Sequence, residues 1–441
     1  MLLAGCGTTP SPSAVPPSAS VRSSPSVPAT PWTGEVVPAP GSDSTVYQPN
    51  PAAIVVALDP GHGGCLDWGV PDPLQRGIAF SEKTMTLAIA SELQAILEAE
   101  GITVVMTRTD DSALAGDEYP DLDCNGPPWR DVNGDGELGF IPNDPEGAVR
   151  TRDELQARLD LANLARADVL ISIHINSLTQ DGVVFEIAAT ETFYTDETPW
   201  GLPATLPLAE AIQAGVLAAL DPLADYERQD RGVEAHNLFV VAPPLLEETP
   251  ERPDRRKQPT RGALMPSVLT EVGSITLRAE QDLLASAPGQ RAAAEGIAEA
   301  LATYLGARPL AARYDALVDG GEAGGTPAAR DGDGPPFWAP EMTTPEPTIR
   351  LTNTGTGTWP EDLLLAAGWE ASDEPYLRIP PTSLTELDVI VPPLAPGESV
   401  ELELPALAPP AGGRHLLWLT LVGEQPFTEL GSPPLQLGLG G

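Results

Sequence analysis

The sequence predicts two folded parts, an α/β domain followed by an all-β domain. Between residues 54 and 305, short apolar runs alternate with stretches whose apolar residues recur at helical spacing. Strands that are separated by helices favour a largely parallel sheet. Beyond residue 335, strand-like runs lie between proline and glycine turns, which is the pattern of a β-sandwich.

The elements of the α/β domain follow from these runs. The apolar run Ile54 to Leu58 leads into a glycine-rich stretch at 59–64, DPGHGG, so we predict a buried strand and a loop. Ser81 can cap a helix whose apolar positions, from Met85 onward, fall on one face. Further strands are expected at 102–106, 168–173, 238–241 and 266–270. Further helices are expected at 152–166, 206–220 and 280–305.

Composition sets the domain boundaries. Residues 1–50 are dominated by Pro, Ser, Thr, Ala and Val and cannot bury enough surface to fold, so we predict a disordered tether. The α/β domain spans 51–310 and includes an insertion at 110–150, where the alternation fails. Residues 311–335, rich in Gly, Ala and Asp, are predicted to be a linker, and 336–441 to form the sandwich. Its strands are expected at 348–351, 388–391, 399–404 and 415–422.

The charge balance excludes one class of partner. The chain has 24 Lys and Arg against 63 Asp and Glu, a formal net charge of −39, so nucleic acid is not an expected ligand. No continuous apolar run reaches the roughly 20 residues that a transmembrane helix needs. We therefore expect any membrane attachment to come from a modification.

The N-terminal sequence indicates such a modification. Leu3-Ala4-Gly5-Cys6 has the Leu-small-small-Cys form of a bacterial lipobox, in which the cysteine carries lipid. Met1 and Leu2 cannot supply a signal peptide, so we expect the natural start to lie upstream. A chance tetrapeptide is the alternative. If the match holds, the protein lies outside the cytoplasm, in the cell envelope, with a lipid anchor on Cys6.

Two further cysteines are Cys65 and Cys124. Outside the cytoplasm this pair is free to form one disulfide, which would fix the insertion beside the loop at 59–64. The alternative is two unpaired thiols. Neither cysteine has the spacing of a metal-binding pair.

The insertion also contains half of a calcium-loop pattern. Asp131, Asn133 and Asp135 place oxygen ligands at alternate positions, and Gly136 stands at the sixth. The twelfth position, where a bidentate carboxylate belongs, is Pro142. The sequence therefore leaves two interpretations open, a Ca²⁺ site or a plain acidic loop.

Three polar residues end predicted strands. His62 and His174 follow apolar runs, and Glu271 ends another in Val-Leu-Thr-Glu. An α/β sheet places its ligands at this edge. Glu82 opens the predicted helix, where ordinary helix-start electrostatics is the alternative interpretation.

Taken together, four segments resemble a known family. Asp-Pro-Gly-His62-Gly-Gly, Ser-Glu82-Lys, Ser-Ile-His174-Ile-Asn-Ser and Thr-Glu271-Val-Gly occur in the order found in zinc-dependent N-acetylmuramoyl-L-alanine amidases of the Amidase_3 type. The resemblance covers roughly residues 54–306, with Thr-Arg at 107–108 and Arg-Gly-Val at 231–233 as further family positions. It implies a twisted six-stranded sheet flanked by helices.

The resemblance also implies a mechanism. His62, Glu82 and His174 match the Zn²⁺ ligands, and Glu271 matches the glutamate that acts as general base. Three protein ligands leave a fourth position of zinc open for water. The bond cut in the family joins muramic acid to the L-alanine of the stem peptide in peptidoglycan, during wall turnover or cell separation.

Two other functions stay open. One is a catalytically silent envelope lipoprotein that uses this fold to bind peptidoglycan, and the other is a zinc peptidase acting on wall cross-links. The C-terminal part, with Trp338, Trp359, Trp369 and Trp418, resembles the four-tryptophan Ig-like sandwich and is expected to be a spacer or a wall-binding module. We expect a monomer.

Overall fold

The structure is a computed structural model of the chain. It describes residues 53–64, 67–70, 75–114, 132, 152–180, 183–196, 202–236, 238–241, 262–318, 321–323, 347–371, 383–408 and 415–439. Within these ranges the chain forms a mixed α/β part and an all-β part.

Six strands build one sheet in the α/β part. The strands up to residue 274 are β1 (Val55–Pro60), β2 (Thr103–Met106), β3 (Val169–Asn176), β4 (Thr179–Gln180), β5 (Val183–Val184), β6 (Ala188–Tyr194), β7 (Arg228–Ala235) and β8 (Ser267–Ser274). The sheet order is β2-β1-β3-β8-β6-β7, and β4 and β5 form a separate two-stranded sheet. All neighbouring strands of the large sheet are parallel except β8 and β6. This confirms the predicted mostly parallel six-stranded sheet.

Helices cover both faces of this sheet. They are α1 (Glu82–Ala99), α2 (Arg152–Leu164), α3 (Leu202–Leu220), α4 (Arg278–Leu284) and α5 (Ala287–Gly306). Apolar residues of α1, α3 and α5 share one core with alternate residues of β1, β3 and β8. Helix α2 lies on the opposite face, where Leu159 packs with Ala57 and Leu170. His174 lies on this second face, because side chains alternate along β3 and it falls on the same side as Leu170, and its register partner Glu271 lies there too.

The helix α3 is apolar enough to be mistaken for a membrane span. Residues 204–223 pass the length and composition test for crossing a bilayer. However, Leu208, Ile212 and Val216 are buried in the core with α1 and α5. Gly215 of α3 also lies against the backbone of Gly296 in α5, so these helices cross closely. We therefore interpret α3 as a core helix.

Two predicted elements of the α/β part were wrong, and two strands of its large sheet were missed. Residues 238–241 form a turn, because their apolar side chains cover Leu269 of β8 instead of extending the sheet. Strands β6 and β7 were missed, and β7 is a mostly exposed edge strand without an apolar run. The single helix expected at 280–305 is divided into α4 and α5, because Ser286 caps α5 and Pro288 stands in its first turn.

The all-β part consists of two four-stranded antiparallel sheets. Its strands are β9 (Ala312–Val318), β10 (Gly321–Ala323), β11 (Thr348–Asn353), β12 (Leu364–Ala371), β13 (Thr385–Ile390), β14 (Ser399–Glu403), β15 (His415–Val422) and β16 (Leu435–Leu439). The sheets have the orders β10-β9-β11-β14 and β13-β12-β15-β16. They share one apolar core that contains Tyr314, Trp359 and Leu419. An all-β region is thus confirmed, whereas its Ig-like type remains a prediction.

The predicted linker at 311–335 differs from the structure at its start. Residues 312–318 are strand β9, which pairs with β11, so the all-β part follows α5 almost directly. The sequence misled here because only alternate residues of β9, such as Tyr314 and Ala316, face the core.

An apolar contact joins the two parts. Leu416 and Trp418, on the outer face of β15, share a cluster with Ala57, Leu159 and Leu170 of the α/β part. Arg166 adds an ion pair of 2.6 Å to Asp315. Both faces of β15 are therefore buried.

Candidate active site

The loop after β1 carries the first site residue, His62, and two buried arginines hold that loop. Arg108 donates from Nε to the carbonyl of Pro60 at 2.9 Å and from Nη2 to that of Gly61 at 3.0 Å. Arg158 of α2 donates from Nη2 to the carbonyl of His62 at 2.7 Å. His62 itself has a left-handed backbone, with φ of 63°. These hydrogen bonds satisfy the backbone carbonyls of the loop. They also hold the loop in the conformation from which the imidazole of His62 projects.

Three predicted ligands converge at this loop. Nε2 of His62 lies 3.1 Å from Oε1 of Glu82, and Nδ1 of His174 lies 3.1 Å from the same oxygen. The two imidazole rings meet edge to face with centroids 4.7 Å apart. One ligand atom from each residue lies within 4.8 Å of the others. The structure thus brings His62, Glu82 and His174 together, and their role as metal ligands remains a prediction.

Glu82 is held as a carboxylate at the first position of α1. Its Oε1 accepts the N–H of Ile175 at 3.0 Å, and its Oε2 accepts the N–H of Val70 at 2.7 Å. Burial alone would raise the pKa of Glu82, but His62 and His174 outweigh burial and lower it well below its usual range. Glu82 is thus anionic at neutral pH.

A residue that sequence reasoning missed supports His62 from behind. Oδ1 of Asp67 lies 2.7 Å from Nδ1 of His62, which leaves Nε2 directed at Glu82. Burial disfavours the imidazolium, yet the Glu82 and Asp67 carboxylates together raise the pKa of His62 to about 10 in the metal-free protein. A carboxylate on the second nitrogen is the usual support of a metal-binding histidine. The only sequence signal was an Asp five residues after His62.

Two glycines give the ligands their space. A Cβ on Gly61 would overlap the ring of His174, and a Cβ on Gly69 would overlap His62 and Glu82. Gly69 also has a φ of 61°, which disfavours other residues. The cluster is therefore packed directly against backbone.

Glu271 lies beside the cluster on β8. Its register partner on β3 is His174, and its partner on β6 is Glu191. Its Oε2 is buried and has no hydrogen-bond partner among the described residues. Burial, and then the nearby Glu82 carboxylate, raise the pKa of Glu271 well above its usual value. A carboxyl group in this state is available to exchange a proton.

A second residue missed by sequence reasoning is Glu191. Its carboxylate is buried next to Glu271 and accepts from Nε of Arg231 at 2.9 Å. Arg231 belongs to the Arg-Gly-Val segment that the sequence marked as a family position. Glu191 lies in the middle of β6 and not at a strand end, so a strand-end argument could not find it.

The donor set fits a tetrahedral metal such as zinc. Zinc bonds imidazole nitrogen and carboxylate oxygen at about 2.0–2.2 Å, so its ligand atoms lie roughly 3.3 Å apart. The two distances of 3.1 Å, from Glu82 to His62 and from Glu82 to His174, are close to that value. Two imidazoles and one carboxylate also leave a coordination position for water.

Several predicted sites lie outside the described residues. These are the lipid-bearing Cys6, the disulfide partners Cys65 and Cys124, and the calcium ligands Asp131, Asn133 and Asp135. Their roles remain predictions. The neighbouring Val132 is described, and its N–H donates to Asp153 of α2 at 2.8 Å.

Fold and site together define an α/β protein with a candidate metal centre at the carboxyl ends of its strands. A model of the N-acetylmuramoyl-L-alanine amidase family, Amidase_3, matches residues 56–303. The chain belongs to this family. The match ends where the all-β part begins.

The chain is also similar to individual curated proteins and to solved structures. The chain is 25% identical to the uncharacterised protein YqiI of Bacillus subtilis strain 168, over 56% of this chain and 84% of that protein. It is 26% identical to the sporulation-specific N-acetylmuramoyl-L-alanine amidase of the same organism, over 62% of this chain and 82% of that protein. The solved amidase AmiC2 of Nostoc punctiforme aligns at 25% identity and a TM-score of 0.37, over 57% of this chain and 97% of that one.

Proposed function

We propose that this protein is a zinc-dependent amidase that cuts the bond between N-acetylmuramic acid and the L-alanine of the stem peptide in peptidoglycan. The observation that carries the proposal is the convergence of His62, Glu82 and His174 beside Glu271, whose buried Oε2 has no hydrogen-bond partner in the part of the chain that the structure describes. We place its activity outside the cytoplasm, in the cell wall. The names of two relatives, an uncharacterised cell wall amidase of Bacillus anthracis and a probable cell wall amidase of Staphylococcus aureus, support that location.

The chain's own residues divide the work of hydrolysis. When bound, zinc would supply Lewis acidity that polarises the amide carbonyl and makes water a better nucleophile. Oε2 of Glu271 would take a proton from the attacking water as the new C–O bond forms. The same oxygen would return the proton to the alanine nitrogen as the C–N bond breaks. Burial of Glu271 supports this role, because it raises the pKa of the carboxyl and makes the carboxylate a stronger base.

The test is digestion of purified muropeptides by zinc-loaded full-length protein, with products identified by mass spectrometry. We expect intact stem peptides that carry a free L-alanine amine. Glu271→Gln should reduce their release at least a hundredfold while retaining zinc, whereas Glu361→Gln, on the surface of the all-β part, should not.

The products also separate the other two functions. Cleavage within the cross-links, with the muramoyl amide intact, would identify a peptidase. Binding of muropeptides without any cleavage would identify a catalytically silent wall-binding protein. Either result would overturn the proposal.

A further inference from the structure

The cations near the site differ in their accessibility. Lys83, Arg108 and Arg158 are buried and donate to backbone carbonyls of the loop after β1. Arg231 on β7 has a side chain that is 41% exposed. An incoming ligand can therefore reach Arg231, whereas the other three are covered by the loop.

Glu191 lies between Arg231 and Glu271. Glu191 is the register partner of Glu271 and accepts from Nε of Arg231 at 2.9 Å. Register partners on neighbouring strands present their side chains on the same face of a sheet. Since His174 is the other register partner of Glu271, the guanidinium lies on the face that carries the metal ligands.

The backbone of β7 is shaped around Arg231. The pairing of β6 with β7 shifts register at this point, and Gly232 has a φ of 77°. The N–H of Gly232 donates to Oδ1 of Asp230 at 2.8 Å, and the same oxygen accepts from Nε2 of the buried Gln213 at 2.7 Å. Such irregularities re-aim a side chain near a functional site. The backbone at Arg231 is thus an irregular segment of β7 that the hydrogen bonds of Asp230 fix in place.

The free edge of Arg231 suits a carboxylate. A guanidinium presents five N–H donors in a planar fork that matches two carboxylate oxygens. Glu191 takes Nε and holds the plane, while Nη1 and Nη2 make no hydrogen bond within the described part of the chain. A half-exposed ion pair adds little stability. The contact between Glu191 and Arg231 is therefore better explained by the orientation of the guanidinium than by stabilisation of the fold.

We propose that Arg231 binds a carboxylate of the peptide portion of the substrate, so that the enzyme selects peptides with a free carboxylate close to the bond it cuts. This inference rests on the proposed function. Glu191 acts as the positioning residue, since it orients the guanidinium without needing to touch the substrate.

The test compares two muramoyl peptides that differ at one group. One carries a free carboxylate on the residue after L-alanine, and the other carries a carboxamide there. We expect the wild-type protein to favour the carboxylate roughly tenfold to hundredfold in kcat/KM, mainly through KM. Arg231→Gln should bring the ratio close to one, and Arg231→Lys should retain part of it, because lysine keeps the charge without the fork.

Binding gives a second measurement that does not need catalysis. Fluorescence anisotropy of the two labelled peptides on the Glu271→Gln protein should show the same preference in Kd, and adding Arg231→Gln should remove it. Arg278→Gln, on the exposed start of α4, is the matched control and should leave the ratio unchanged.

Two results would overturn the inference: a wild-type ratio near one, or an Arg231→Gln variant in which both peptides weaken equally. If neither peptide is cut but the preference persists in Kd, the proposed function fails and the carboxylate site stands.

Discussion

The side chain of Asp67 decides which nitrogen of His62 faces the other ligands. Its contact with Nδ1 leaves Nε2 for a metal. Asp67→Ala should lower zinc affinity roughly tenfold to hundredfold, the usual effect of losing such a supporting carboxylate. A competition titration against a chelator measures this. Asp388→Ala, on exposed β13, is the control, and equal affinities for both variants would contradict the prediction.

Gly61 is required because the ring of His174 occupies the place of its missing Cβ. Gly61→Ala should displace the imidazole and reduce bound zinc to well below one ion per chain. Overpacking of this kind also costs about 1–3 kcal/mol of folding free energy. Metal analysis and urea unfolding measure the two effects. Gly306→Ala has open space around it and should change neither one by much.

A buried ion pair fastens helix α2 to strand β1. Oδ1 of Asp59 lies 2.7 Å from Nη1 of Arg158, and Thr107 and Ser172 donate to the same carboxylate. Burial would raise the pKa of Asp59, but Arg158 and the hydroxyl donors outweigh it and lower the pKa to about 2. The element pair that positions His62 thus depends on one ionised carboxylate.

This pair predicts a pH dependence of stability. The folded-state pKa of Asp59 lies below its unfolded value near 3.8, so its contribution is complete above about pH 4 and is lost as the pH falls towards 2. Asp59→Asn should cost about 2 kcal/mol at pH 7. The difference from wild type should narrow between pH 4 and pH 2 in urea unfolding. A difference that stays constant down to pH 2 would show that charge plays no part.

Helices and strands could be predicted where their burial leaves a recognisable pattern of apolar residues in the sequence. Strands β1, β3 and β8 are buried on both faces and are nearly continuous apolar runs, so their positions and their polar ends were evident. Strand β7 is an exposed edge with charged residues, and its identity depends on pairing with β6. Pairing between distant segments leaves little local signal.

The same contrast explains the site. His62, His174 and Glu271 follow apolar strands and could be found by position, whereas Glu82 required the family resemblance. Asp67 and Glu191 act through contacts across loops and strands, which spacing along the chain does not encode.

At the scale of the whole molecule, the contact between the two parts should couple their stability. Trp418 is only 2% exposed and packs on the α/β part. Trp418→Ala should cost about 3–5 kcal/mol, as large buried truncations do. Calorimetry should show one transition for the wild type and two separated transitions for the variant.

Ile390→Ala provides the comparison, because Ile390 lies on the same sheet but is 87% exposed. It should change stability by no more than about 0.5 kcal/mol. If Trp418→Ala behaves like Ile390→Ala, the two parts are thermodynamically independent.

The burial of both faces of β15 limits how such a protein can be recombined. A gene segment encoding residues 312–439 carries Leu416 and Trp418 to any new host, and an amidase domain cut at Gly306 is left with their apolar counterpart uncovered. Separating the two parts would expose an apolar patch on each of them, and such patches promote aggregation. The all-β part is therefore not an interchangeable cassette, and functional chimeras will need the matching surface of α2 and the sheet to move with it.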